Sequence, residues 1–74
     1  MKLFVCGFSE YESVSELVRL FEGYGDVLEF KIRQGEKRKY ALITMRDMDA
    51  EEAIKKLNGR RSGTDRLIVE QSQW

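Results

Sequence analysis

At 74 residues the chain has room for one domain and one modest core, and burying about 60% of its unfolded surface leaves no slack for a deep catalytic cavity. A hydrophobic content of 42% argues for a folded chain over disorder; the longest apolar run is too short to cross a membrane, and because Met1-Lys2 leads straight into a strand no signal or transit peptide is expected. Thirteen basic side chains balance thirteen acidic ones, which weighs against a protein held to its partner by phosphate charge alone.

In chain order, residues 2–6, KLFVC, read as a strand. Residues 10–13 are polar and turn-like. Ser13-Val14-Ser15-Glu16 is a capping box, in which the serine hydroxyl accepts from the third helical amide and Glu16 reaches back. The helix it opens carries Val14, Leu17, Val18 and Phe21 on one stripe and ends at Gly23 and Gly25. Residues 27–33, VLEFKIR, set Phe30 and Ile32 inward against Glu29, Lys31 and Arg33. Gly35 marks a short connection, so this strand and the one over residues 39–45 form a hairpin. Asp47 or Asp49 caps a second helix with Ala50, Ala53, Ile54 and Leu57 on its apolar stripe, and Asn58-Gly59 closes it. Gly63 punctuates the following loop, in which Arg60 and Arg61 read as solvated. The last strand spans residues 66–72 with Leu67 and Val69 inward.

The order β-α-β-β-α-β specifies an α+β fold, the ferredoxin-like sandwich, with one four-stranded antiparallel sheet backed by two helices over residues 1–74. Two helices cover one sheet face only. Alternation places Lys2, Phe4 and Cys6, then Glu29, Lys31 and Arg33, then Arg38, Tyr40, Leu42 and Thr44, then Ile68, Glu70 and Ser72, on the other. Two strands that both turn an aromatic away from the core suit a platform on which flat ligands stack, and nucleic-acid bases are flat ligands.

Charge is unevenly spread. Residues 10–29 hold six carboxylates and one arginine, residues 31–39 hold five cations and one carboxylate, and Arg60, Arg61 and Arg66 form a second basic group. Two solvated faces would produce this pattern, and so would a basic edge that guides an anionic strand. Catalysis has little support. There is no histidine, no serine or cysteine with a base in sequence reach, and no glycine-rich phosphate loop. Cys6 is the single cysteine, so no internal disulfide and no cysteine–histidine metal site is expected; a reducing compartment fits.

The chain resembles an RNA recognition motif domain across nearly all of its length. LFVCGF at residues 3–8 is similar to the family's hexamer on the first strand, and RKYALITM at residues 38–45 to its octamer on the third. ELVRLFEGYGDV and DAEEAIKKLNG are similar to its two helices. The resemblance implies a non-catalytic, cofactor-free, intracellular and monomeric module that takes single-stranded RNA on its sheet, with single-stranded DNA as a further ligand. Phe4 and Tyr40 would stack, Arg38, Lys31 and Arg33 would hold phosphate or base edges, and Lys2 and Leu42 would flank. Leu42 departs from the pattern, because an aromatic is usual there. Lys39 stands where glycine is usual, its stem snorkelling at the strand end, and Met45 replaces a buried aromatic. The rival reading is a protein-interaction module, or an engineered scaffold of this shape, with little RNA binding; zero net charge and Leu42 favour it. Trp74, the only tryptophan, either folds over the sheet or is a loose end.

Overall fold

A computed structural model describes residues 1–8, 13–62 and 65–73. The turn expected over residues 10–12, Gly63 and Trp74 lie outside the described residues. The elements are β1 (Lys2–Cys6), α1 (Val14–Glu22), β2 (Val27–Gln34), β3 (Lys39–Met45), α2 (Asp47–Leu57), β4 (Arg61–Ser62), β5 (Asp65–Arg66) and β6 (Ile68–Gln71). β2, β3, β1 and β6 form, in that order, an antiparallel sheet, while β4 and β5 pair separately as a small ribbon. The sandwich expected from the order of elements is the one observed.

Period-two alternation decides which face each strand buries. In β1, Leu3 and Val5 are fully buried while Phe4 and Cys6 are half-buried on the opposite face. In β3, Ala41, Ile43 and Met45 are buried while Tyr40, Leu42 and Thr44 face the other way. Leu17 and Phe21 of α1 and Ala50, Ala53 and Leu57 of α2 meet the buried set, together with Leu67 and Val69. α1 packs against β2, and α2 against β3 and β6. No helix among the described residues is long and apolar enough to cross a membrane.

Local chemistry explains the ends of the elements. Ser13 is extended and its hydroxyl accepts from the Glu16 amide at 3.2 Å, as the capping box requires. The second helix differs from expectation. Neither Asp47 nor Asp49 is its cap. Arg46 occupies that position with no side-chain capping bond, and Asp47 is already helical, its carboxylate 3.1 Å from the Met1 amino group. Both aspartates still sit in the first turn, where the helix dipole favours negative charge. At the far end, the Asn58 side-chain oxygen accepts from the Val69 amide at 3.0 Å and ties the helix terminus to β6.

Two further expectations change, and β2 gains a bulge. Phe30, Ile32 and Ile54 pack against the core but are only partly buried; for Phe30 and Ile32 the reason is that β2 is an edge strand. Val27 faces Met45 and Glu29 faces Thr44, so Leu28 is an extra residue in a bulge and lies 54% exposed. The last strand is shorter than residues 66–72. Arg66 pairs with Arg61 across the small ribbon, and Leu67 exchanges hydrogen bonds with Arg60 and Gly59, both 2.7 Å, before the main-sheet strand begins at Ile68. Arg61 thus belongs to a two-residue strand, although it is as exposed as a loop residue.

Candidate nucleic-acid interface

The helix-free face is ordered by strand register. Lys31, Leu42, Phe4 and Glu70 form one row across β2, β3, β1 and β6. Arg33 pairs with Tyr40 and Cys6 with Ile68 in the row toward the β2–β3 turn. Glu29, Thr44 and Lys2 form the row toward the other end.

Phe4 and Tyr40 are diagonal neighbours. Their ring centroids are 5.3 Å apart and their planes tilted by 31°, within the range of favourable aromatic pairs. Both are half-buried, each ring partly screened by the other and by the sheet. Gly35 lies beneath the Tyr40 ring, where a Cβ would stand 3.6 Å from it, and the Gly35 amide donates to the Arg38 carbonyl at 2.8 Å to close the turn. The aromatic surface is therefore one continuous patch, extended by Leu42 directly opposite Phe4 and by Ile68, 43% exposed, beside Cys6.

Charge surrounds this patch. The Lys31 ammonium is 3.6 Å from the Glu29 carboxylate, with both side chains about half exposed, so solvent weakens the pair and Lys31 keeps donors to offer. Arg33, beside Tyr40, and Arg38, just before β3, form no ion pair among the described residues. Lys2 is exposed at the opposite end of the sheet, paired in register with Thr44. Burial pushes the Cys6 thiol up, with nearby Arg38 pulling the other way and Glu70 reinforcing the rise. A neutral thiol is a poor nucleophile, consistent with a packing role.

Of the seven residues singled out from sequence, the structure gathers Phe4, Tyr40, Leu42, Lys31 and Arg33 into one contiguous area. Arg38 stands at its edge and Lys2 lies apart at the far end. Two features had been given no role. Glu70, which alternation had placed on this face, sits directly beside Phe4, and with Gln71, Ser72 and Gln73 it borders an open groove of about 550 Å³ along β6. Gln34, Lys37 and Lys39 join Arg38 in a cleft beyond the turn end of the sheet, which no local pattern announces.

The fold and this face define a class: a βαββαβ domain whose uncovered sheet carries paired aromatics amid cations. The family described as RNA recognition motif matches residues 3–68, and the chain belongs to that family. Among solved structures, the chain is similar to the Sex-lethal RNA recognition domains 1 and 2 of Drosophila melanogaster, with 28% identity, a TM-score of 0.86, and coverage of 99% of this chain and 50% of that one. It spans about half the length of that relative. It is also similar to the Rna15 domain with bound GU RNA (22% identity, TM-score 0.83, covering 99% and 83%). A third is the MEC-8 C-terminal domain bound to AGCACA (21% identity, TM-score 0.83, covering 99% and 90%). None of the curated proteins matches the chain significantly in sequence.

Proposed function

We propose that the chain is a single, non-catalytic, monomeric module of the cell interior that binds a short stretch of single-stranded RNA across its open sheet face. The observation that carries this reading is the Phe4–Tyr40 pair at 5.3 Å on the face that no helix covers. A base laid on that pair gains stacking from both rings, and its neighbour is offered Leu42. Arg33 and Lys31 flank on the β2 side and Arg38 at the turn end, positioned for phosphate oxygens or base edges. RNA-bound relatives of the same fold support the assignment.

A chemical-shift titration with randomised short RNA tests it. Amides of β1 and β3 are expected to move while those of α1 and α2 stay. Shifts confined to the helices, or none at all, would reject the sheet as an RNA surface. In the second case the protein-interaction reading takes over, which the aliphatic Leu42 favours.

The same assay measures charge dependence. With two to four phosphates neutralised, log K against log salt should fall with a slope of about −1.4 to −2.8. A slope steeper than about −5 would mean that binding is dominated by phosphate, with Arg60, Arg61 and Arg66 recruited.

Leu42 tests whether the platform is extended or repurposed. It is half-buried between Phe4 and Lys31 in register. Leu42→Phe supplies a π-face where leucine already supplies area, so RNA affinity should rise by up to ~1 kcal/mol. Unchanged or weaker affinity in the folded variant would remove base stacking from this position.

A further inference from the structure

Beyond Tyr40 and Cys6, three segments far apart in sequence converge at the turn end of the sheet. Gln34, Lys37, Arg38 and Lys39 come from the β2–β3 hairpin, Gly7 follows β1, and Asp65 comes from the small ribbon. The convergence depends on Gly7. It has φ of +80°, and a Cβ there would run into the Arg66 carbonyl oxygen, so only glycine lets the ribbon close against the end of β1. The result is a cleft of about 270 Å³.

Its lining has an unusual composition. Lys37, Arg38 and Lys39 are donors only, and the Gln34 amide nitrogen already donates to the Gly35 carbonyl at 3.2 Å. Asp65 is the one carboxylate among the lining residues. None of these four charged groups is in an ion pair among the described residues. A site for a bare anion would not include a carboxylate. A nucleotide, however, has both complements: an anionic phosphate for the cations and, on the right base, N–H groups for the carboxylate. The cleft is smaller than the roughly 300–1,000 Å³ of pockets that take independent small ligands, so it suits one part of a longer ligand. It is also continuous with the platform, since Arg38 lies two residues before Tyr40 on the same strand edge.

Resting on the sheet-binding reading above, we propose that this cleft is a subsite for one further nucleotide of the bound strand, with its phosphate held by Lys37, Arg38 and Lys39 and its base read by Asp65. The base it selects is guanine. Guanine alone presents two adjacent donors, N1–H and N2–H, to a carboxylate's two oxygens. Uracil offers a single N–H between two carbonyls, and those carbonyls would face Asp65 unfavourably.

The test uses tetranucleotide RNA pools, each randomised at three positions and fixed as G, A, C or U at either the 5′ or the 3′ end. Amides of Phe4 and Tyr40 report the platform; those of Gly7, Lys37 and Lys39 report the cleft. One terminal-G pool is expected to shift the cleft amides and to bind about tenfold tighter than the matching U pool. Asp65→Asn keeps the shape of the exposed side chain but replaces one acceptor by a donor. It should erase that preference while leaving the shifts at Phe4 and Tyr40. If the platform amides move but the cleft amides do not, or if the four bases bind alike, or if the guanine preference survives Asp65→Asn, the subsite is wrong and the platform stands. If no pool moves Phe4 or Tyr40, the platform reading falls and the subsite falls with it.

Discussion

Phe21→Ala should destabilise the domain by about 3–5 kcal/mol, a large part of the roughly 5–15 kcal/mol that holds a small domain folded. Phe21 is fully buried and is the largest of the fully buried side chains among the described residues. It comes from the last turn of α1, the helix that packs on β2, and it joins a cluster with residues of β1, β3, α2 and β6. Truncation removes apolar burial and leaves a cavity between rigid elements that can only partly collapse. Urea denaturation of parent and variant measures the cost. A loss under about 1 kcal/mol would place Phe21 outside the cooperative core.

Phe4→Ala and Tyr40→Ala should each weaken RNA binding by about 1–3 kcal/mol in a protein that remains folded. Neither ring belongs to the buried cluster, so its removal opens the sheet surface instead of a cavity. Because the rings touch, the two effects should not be independent. Each single variant also frees its partner from the contact that orients it, so the double variant should lose less than the sum of the singles. Isothermal titration with one short RNA, with circular dichroism to check folding, reads all three. If both single variants are folded and bind as tightly as the parent, the aromatic pair does not carry recognition.

Much of this could be read from the chain because local signals and tertiary demands agree. β1 and β3 alternate without interruption, so inward and outward sets follow from residue order. Ser13 and Glu16 fix the start of α1 within one turn. The misreadings have a shared cause: pairing between segments distant in sequence. In β2 the phase of Phe30 and Ile32 was legible, whereas the bulge at Leu28 is set by the pairing with Met45 and Thr44. Two aspartates near the start of α2 each look like a cap, but the approach of the Met1 amino group to Asp47 is a long-range contact. Residues 66–72 look like one strand, and only the bonds from Leu67 to Arg60 and Gly59 show the step within it. For the interface, the aromatic pair and its strand positions were legible, whereas the approach of Asp65 to Lys37, Arg38 and Lys39 joins two segments distant in sequence.

The bulged β2 has an effect on the behaviour of the protein in concentrated solution. As an eight-residue edge strand it has no neighbouring strand on its outer side among the described residues, the kind of template along which a second chain can add. Leu28 breaks the even spacing of that edge, and Lys31 and Arg33 would oppose like charges in many of the alignments a second β2 could adopt. The cations that suit a phosphate chain thereby also act as gatekeepers against fibrillar strand addition. Neutralising them would both weaken attraction to an anionic ligand and lower the barrier to aggregation along this edge.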